Sequence, residues 1–260
     1  MTNLFTGTDV TYRHSEPESR RFGLAVARMD VQFASDPVAS LETVRERLDA
    51  SRDDVIVLRY PSERVGWFAS LRDGGWDVLH AGSLVHFERS LTEPLPPLPP
   101  GWPRPDLRLV DGDEVDQAAL ERLVLEVFAR HESHYLANPL FDRPAVLAGY
   151  QEWVVRSLHT ERVACVVASD GRPQGFLAFT CAPERSDQLI GGVAQAAQRQ
   201  HVFHALFVEV ARLAAEAGSL SVGGPTAVHN VATQRVYASA GYHARWASET
   251  VHLIRPGLLG

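Results

Sequence analysis

The chain has 260 residues, enough for one or two domains that each bury a hydrophobic core. Its 45% hydrophobic and 22% charged residues are typical of an ordinary globular protein. A formal net charge of −7 without any basic run argues against a nucleic-acid partner, and no apolar stretch approaches the roughly 20 residues of a membrane span.

The cysteine content indicates the compartment. Cys165 and Cys181 are the only cysteines, and both fall in apolar, strand-like runs. Two thiols of this kind fit a reducing cytoplasm better than a disulfide scaffold. Because no histidine lies at ligand spacing beside them, we expect no metal site and a cytoplasmic location.

The N-terminal part of the chain shows alternating strand and helix patterns after a polar stretch over residues 1–20. Helical spacing of Leu41, Val44 and Leu48 predicts a helix over 41–50, with Ser40 or Asp36 near its start. The remaining predicted elements are strands over 22–31, 54–58 and 76–91, and a helix over 63–73 that the pair Gly74-Gly75 ends.

Residues 94–105 contain seven prolines in twelve positions. Proline lacks a backbone N–H and fixes φ, so this segment cannot continue a helix or a central strand. The composition predicts an extended, semi-rigid linker, and the alternative is a ligand for a proline-binding module.

The C-terminal part begins after this segment and shows a longer series of elements. Helical periodicity predicts helices over 114–130, capped by Asp111 or Asp113, over 144–158 and over 202–217. Strands are predicted over 107–110, 162–168, 174–180, 189–194, 220–224 and 242–255, and the turn at 169–173 joins two of them as a hairpin.

The stretch 230–242 lies between the last two predicted strands. Asn230 is a good N-cap residue, because its side-chain oxygen can accept from an unpaired backbone N–H of the first helical turn. Gly241 suits the left-handed position that follows a helix, and Tyr242 begins the last strand. The stretch therefore predicts a short capped helix that carries Tyr237.

This element order, together with Asn230, Tyr237 and Gly241-Tyr242, resembles the GCN5-related N-acetyltransferase (GNAT) superfamily over residues 105–256. The resemblance implies an α/β fold in which helices flank a mixed, centrally splayed sheet. It also implies that acetyl-CoA, or another acyl-CoA, binds in the gap between the two splayed strands. The implied roles are general acid for Tyr237 and cofactor contacts for Gly192, Val193, Ala194 and Asn230.

The superfamily's phosphate-binding signature has glycines at the start of a helix, whose free N–H groups favour an anion. Here His201 and Phe203 stand where glycines are expected. The matching residues, expected to bind the cofactor, are Gln198, Arg199, Gln200, His201, Val202, Phe203 and His204.

Three interpretations of these replacements remain open. The backbone N–H groups can still meet the pyrophosphate while Arg199 and His201 supply charge, so that binding is weakened. The donor can instead be a carrier-protein thioester or another unusual thioester. Alternatively, the protein is a non-catalytic binding or scaffold module. Because Asn230 and Tyr237 are both present, we favour an enzyme.

The two parts of the chain share a pattern. Residues 70–76 are similar to 236–242, with Leu71 in the place of Tyr237, and each is followed at the same distance by a Val-His-apolar triplet. This arrangement resembles the dTDP-fucosamine acetyltransferase type, in which a reduced N-terminal GNAT-like lobe precedes a complete one. We therefore predict a reduced GNAT-like domain over 1–93, a linker over 94–105 and an acyltransferase domain over 106–260.

The resemblance also implies where the acceptor binds. The acceptor-side residues are expected to be His131, Tyr135, Tyr150 and Trp153, and the implied acceptor is a nucleotide-linked amino sugar. His134 is our candidate for the catalytic base, with His131, Glu132 and His229 as alternatives. We expect a small primary amine as substrate and a monomer or homodimer.

Overall fold

The computed structural model describes residues 10–32 and 37–259. Asp36, one of two residues predicted near the start of a helix, lies outside them. Among the described residues, no helix combines the length and the apolar composition needed to cross a membrane. The contacts divide the chain into two compact units. Unit 1 comprises residues 1–85, 132–146 and 246–260, and unit 2 comprises residues 86–131 and 147–245.

Unit 1 contains a mixed sheet. Its strand order is β1-β2-β3-β10, with β2 and β3 parallel and the other neighbours antiparallel. Its elements are β1 (Val10–His14), α1 (Glu16–Phe22), β2 (Val26–Val31), α2 (Pro37–Ala50), β3 (Val55–Pro61), α3 (Trp67–Arg72), the first part of β4 (Asp77–Ser90) and the last part of β10 (His243–Ile254).

The hydrophobic core of unit 1 lies on one face of this sheet. Alternate strand residues such as Met29, Leu58 and Val251 pack there with Val44 and Leu48 of α2. The opposite face carries the other half of each strand, because successive side chains of a strand point to opposite sides. That second face holds several charged residues.

Unit 2 contains most of the remaining elements. Its strand order is β4-β9-β8-β7-β6-β5. These elements are the end of β4, β5 (Leu107–Asp111), α4 (Gln117–Phe128), α5 (Arg143–Thr160), β6 (Arg162–Ala168), β7 (Pro173–Phe179), β8 (Arg185–Val193), α6 (Val202–Glu216), β9 (Ser221–Ala227), α7 (Val231–Ser239) and the start of β10.

The buried face of α6 forms much of the core of unit 2. Residues Val202, Leu206, Val210 and Ala214 recur at helical spacing and are all buried. The strand order, the parallel pair β8–β9 and the flanking helices agree with the predicted α/β class. The predicted hairpin is present as β6 and β7, joined around Gly171 at a φ of 83°.

Some predicted helix boundaries were wrong. Neither Asp111 nor Asp113 caps α4; Asp116 does, accepting from Ala119 N at 2.8 Å. Asp111 instead caps a short 3-10 helix over Gly112–Glu114. A run with several aspartates offers several possible caps, and the local pattern did not distinguish them.

The proline-rich segment forms neither helix nor strand, as its composition requires. It belongs to unit 2, where Trp102 Nε1 donates to Gln200 O at 3.3 Å and Arg104 Nη1 donates to Gln200 Oε1 at 2.8 Å. The contacts divide the chain at other positions than the predicted boundaries at 93 and 106. The two-domain organisation with a linker stays a prediction.

Candidate functional site

Two parallel strands of unit 2 separate partway along their length. β8 and β9 pair at Arg185–Ser221, Ser186–Val222 and Asp187–Gly223. Within this fully described part of the chain, no pairing continues beyond Asp187 and Gly223, although β8 runs on to Val193 and β9 to Ala227. The strands therefore leave backbone groups free on both sides of a gap.

The phenol of Tyr237 lies where this separation begins. A Cβ placed on Gly224, the first residue of β9 after the pairing ends, would lie 3.0 Å from the Tyr237 hydroxyl and 2.7 Å from Gln188 O. The missing side chain at Gly224 therefore makes room for the phenol. No described residue forms a hydrogen bond with that hydroxyl.

Aromatic rings hold Tyr237 in place. Phe87 stacks on it with a centroid distance of 4.5 Å, and Phe207 and Tyr242 meet it edge-on at 4.6 and 5.3 Å. Only 3% of Tyr237 is exposed. Burial, and secondarily the neighbouring Tyr242, raises the pKa of Tyr237 above its usual value of 10, so the phenol stays protonated near neutral pH.

Both ends of the helix that carries Tyr237 are capped as predicted. The Asn230 side chain accepts from Thr233 N at 3.2 Å, and Gly241 has a φ of 77°. Tyr242 N donates to Tyr237 O, and Gly241 N donates to Ala238 O. These two bonds form a Schellman motif, which fixes the helix end next to the phenol.

The loop before α6 carries unusual backbone conformations. Arg199 and His201 have φ values of 61° and 59°, and in the described chain they are the only non-glycine residues with positive φ. Left-handed conformations of residues with a Cβ cost free energy, and they cluster at active sites, ligand clamps and switch regions. At the start of α6, Ala205 N donates to His201 O at 2.9 Å, so the N–H groups of the residues just before Ala205 belong to the first helical turn, which has no intrahelical acceptor.

The two replaced glycines differ in their surroundings. His201 adopts the left-handed conformation that glycine prefers, and its side chain is exposed. The Phe203 ring packs edge-on against Phe207 and lies close to Gly191 on β8. Phe203 therefore packs against the sheet, whereas His201 lies exposed in the loop before α6.

The end of β8 offers one free donor among the three predicted residues Gly192, Val193 and Ala194. Ala194 N already donates to Gln174 O at 2.9 Å. Because successive N–H groups of a strand point to opposite sides, the N–H of Val193 points away from β7, toward the side of β9.

No protein-family model matches the sequence, and no curated protein is similar enough in sequence to match. Solved structures do match. A GCN5-related N-acetyltransferase from Sphaerobacter thermophilus has a TM-score of 0.59 at 16% identity, covering 96% of this chain and 78% of that chain. One from Kribbella flavida has a TM-score of 0.52 at 17% identity, covering 90% and 82%. A tandem GNAT protein from the clavulanic acid biosynthesis pathway has a TM-score of 0.52 at 17% identity, covering 88% and 74%.

The chain has the GNAT fold. At these identities the likeness concerns the fold alone. It confirms the predicted α/β architecture, and the separation of β8 and β9 within unit 2 agrees with the predicted central splay. The lobe arrangement of the dTDP-fucosamine type remains a prediction.

The predicted acceptor-side residues of the GNAT fold form separate groups here. In unit 2, His131 meets Tyr150 edge-on at 5.9 Å, and Tyr150 stacks on Phe128 at 4.3 Å. Trp153 of unit 2 is half-buried on α5. In unit 1, His134 Nδ1 lies 3.0 Å from His252 Nε2, and the His134 ring lies 4.0 Å from the Tyr135 ring.

Sequence reasoning missed two residues that shape the site, Phe87 and Gly224. Phe87 lies in one of the two Val-His-apolar triplets, but the triplet indicated only a repeat. Gly224 belongs to a glycine pair in a predicted strand, a signal of close backbone approach that was available. In the described ranges, no group of three or more His, Cys, Asp or Glu residues could hold a metal ion.

The residues at the start of α6 and around the gap between β8 and β9 fit a CoA thioester. Free N–H groups at the start of α6 suit a pyrophosphate, and the gap between β8 and β9 offers unpaired backbone to an extended pantetheine arm. The unpaired phenol hydroxyl lies at the gap, where a leaving sulfur would need a proton donor.

Proposed function

We propose that the protein is an N-acyltransferase that moves an acetyl or related acyl group from CoA to a primary amine of a small molecule. The observation that carries this proposal is the phenol of Tyr237 at the point where β8 and β9 separate. A strand pair that parts beside an unpaired hydroxyl serves no evident structural purpose. The GNAT fold of the chain supports the same chemistry.

The donor-binding residues act mainly through the backbone. The N–H groups of Gln200 to His204 bind the pyrophosphate, helped by the positive end of α6 and by the charge of Arg199. The N–H of Val193 donates to the thioester carbonyl oxygen and stabilises negative charge there. Asn230 caps α7 and contacts the pantetheine arm.

Acetyl-CoA, when bound, supplies an activated acyl group on a thiol leaving group. Tyr237 holds its proton at neutral pH because burial raises its pKa, and it donates this proton to the leaving sulfur. The aromatic rings of Phe87, Phe207 and Tyr242 keep the phenol oriented before the reaction. The amine attacks directly, without an acyl-enzyme.

The finer assignments rest on the resemblance to the dTDP-fucosamine acetyltransferase type. We propose a nucleotide-linked amino sugar as the acceptor, a reduced N-terminal GNAT-like domain and a cytoplasmic monomer or homodimer. His131, Tyr135, Tyr150 and Trp153 are the proposed acceptor contacts, and His134 is the proposed base.

The test follows release of free thiol from acetyl-CoA across a panel of primary amines. General acids contribute about 10² to 10⁴ in rate, so Tyr237→Phe should lower turnover in that range while CoA affinity hardly changes. Tyr60→Phe, at a buried tyrosine of unit 1, is the matched control and should keep full activity. Equal turnover in Tyr237→Phe and wild type would refute the assignment of Tyr237 as the general acid.

A non-catalytic GNAT-like binding module is the second candidate. The near-complete burial of Tyr237 and the histidine at position 201 favour it. A thermal shift with CoA separates the candidates, because a ligand at 100 times its Kd stabilises by about 2.7 kcal/mol. No shift and no thiol release would favour the module, whereas thiol release only from an acylated carrier protein would favour an unusual thioester donor.

A further inference from the structure

The polar face of the unit 1 sheet carries two rows of residues. Strand register places Arg28, Val57 and His252 side by side, and Asp30, Arg59 and Thr250 in the next row. Paired residues of neighbouring strands point to the same side of the sheet. Two arginines, one aspartate and one histidine therefore share this face.

Arg28 forms a bidentate pair with a carboxylate. Its Nε and Nη2 donate to the two carboxylate oxygens of Glu18, each at 2.7 Å. The Tyr135 hydroxyl contacts both Arg28 and Glu18. This bidentate pair accounts for the burial of Glu18, which is 4% exposed.

Arg59 differs from Arg28. Its guanidinium donates no hydrogen bond to any described residue, and its Nε is enclosed without a partner. Asp30 attracts it through its charge, while burial and then Arg28 lower the pKa of Arg59. His252 Nδ1 is also enclosed and unpaired within the described chain.

A partly buried cation without hydrogen bonds is unfavourable, so an anion that accepts hydrogen bonds from Arg59 would stabilise this arrangement. Arg28 and Arg59 balance Glu18 and Asp30 in formal charge, and His252 is neutral because burial lowers its pKa to about 3. A face with no net charge accepts one negative charge more readily than two. A guanidinium fork also matches the two oxygens of a carboxylate.

An apolar wall adjoins these groups. Phe141 lies 5.7 Å from the His252 ring and 5.9 Å from the Tyr135 ring, and it stacks on Phe22 at 4.0 Å. Phe141 is 4% exposed and His252 is fully buried, so it is the half-buried rings of Tyr135 and Phe22 that can contact the body of a small organic acid whose carboxylate meets Arg59. Arg59 itself is only half-buried, so its guanidinium can be reached.

We propose that unit 1 holds a binding site for a small organic monocarboxylate, with Arg59 as the carboxylate receptor beside His252 and the Tyr135–Phe141 wall. This site shares Tyr135 with the proposed acceptor contacts, but Arg59 has no role in the proposed acyl transfer, so either proposal can fail alone.

The test measures melting temperature at constant ionic strength with acetate, benzoate, benzamide and inorganic phosphate. Acetate and benzoate should raise the melting temperature saturably, with benzoate more effective because it adds ring contacts. Benzamide, the neutral analogue of benzoate, should have no effect. Arg59→Met should weaken benzoate binding at least tenfold, and Arg45→Met, at an exposed arginine of α2, should not.

The unliganded variants provide a second measurement. Because Arg59 donates no hydrogen bond to a described residue, Arg59→Met should melt at or above the wild-type temperature without ligand. A lower melting temperature would make Arg59 a structural residue and would overturn the proposal. Equal shifts with benzoate and benzamide, no shift with either carboxylate, or a shift with phosphate alone would also overturn it.

Discussion

At the scale of single residues, the loop before α6 holds Arg199 and His201 in left-handed conformations. For a residue with a Cβ, that conformation costs about 1–2 kcal/mol. Each of the two residues lowers the free energy of unfolding by about this amount. In the proposed function, binding of the CoA pyrophosphate to the loop would offset this cost.

We predict that His201→Gly tightens CoA binding severalfold. Glycine adopts this φ without strain, and removing the Cβ lets the pyrophosphate approach the backbone. The greater flexibility of glycine in the unfolded chain offsets the relieved strain, so the free energy of unfolding should change little. Calorimetric titration with CoA measures the affinity.

His201→Ala is the control for this prediction, because alanine keeps the Cβ and the strain but removes the imidazole. If the approach of the pyrophosphate to the backbone limits the affinity for CoA, His201→Ala should bind CoA no better than wild type. Equally tight binding by the alanine and glycine variants would mean that the imidazole, and not the Cβ, obstructs the site.

At the scale of secondary structure elements, α7 depends on Arg89 of β4. Arg89 is 6% exposed, and its Nη1 donates to Ala240 O at 3.3 Å and Gly241 O at 3.2 Å. Its Nη2 donates to Pro94 O. One buried guanidinium thus ties the end of the helix that carries Tyr237 to the start of the proline-rich segment.

We predict that Gly241→Ala lowers the free energy of unfolding by clearly more than Gly218→Ala. Both glycines follow a helix at positive φ, 77° and 87°, so both variants carry the cost of about 1–2 kcal/mol for that conformation. Only at Gly241 would the new Cβ overlap a neighbour, at 1.9 Å from Arg89 Nη1. Urea unfolding of both variants measures the difference, and equal costs would show that Arg89 moves aside freely.

Elements with strong local signals could be predicted from the sequence. The caps of α7 and the periodicity of α6 correspond closely to the structure, because Asn230, Gly241 and the apolar spacing act within a few residues. β1 and α1 were missed, since residues 1–20 are polar. Their stability comes from contacts such as Ser19 Oγ with Val26 N at 2.9 Å and Glu18 with Arg28, which no local pattern reveals.

At the scale of the whole molecule, residues far apart in sequence form each unit. Ser248 pairs with Pro61 in unit 1, and residues 132–146 belong to the same unit. The predicted boundaries followed composition, which does not encode such pairings. For the same reason, the sequence did not indicate Arg59 as a candidate binding residue, because its surroundings come from four separate segments of the chain.

The stability of the molecule should also depend on the histidine of the second Val-His-apolar triplet, a pattern that indicated only a repeat. His252 is fully buried, and burial, with Arg28 and Arg59 nearby, lowers its pKa to about 3 from an ordinary value of 6.5. Glu18 raises that pKa, and His134 and Tyr135 also border this group. Between pH 6.5 and 3 the unfolded chain binds a proton at this position and the folded protein does not.

The contribution of His252 to the free energy of unfolding is therefore fully present above about pH 6.5. It falls as the pH decreases toward 3, by up to about 1.4 kcal/mol per pH unit. We predict that His252→Gln removes this component, while His159→Gln, at an exposed histidine of α5, retains it. Urea unfolding between pH 6.5 and 5 isolates the histidine contribution.

The pKa of Glu18, lowered to about 2 by Arg28 despite its burial, matters only below about pH 4.5. His204, whose pKa burial also lowers, contributes the same slope in both variants, so only the difference between them reports His252. An unchanged slope in His252→Gln would show that burial does not lower the pKa of His252, and the face beside Arg59 would then gain a positive charge as the pH falls below about 6.5.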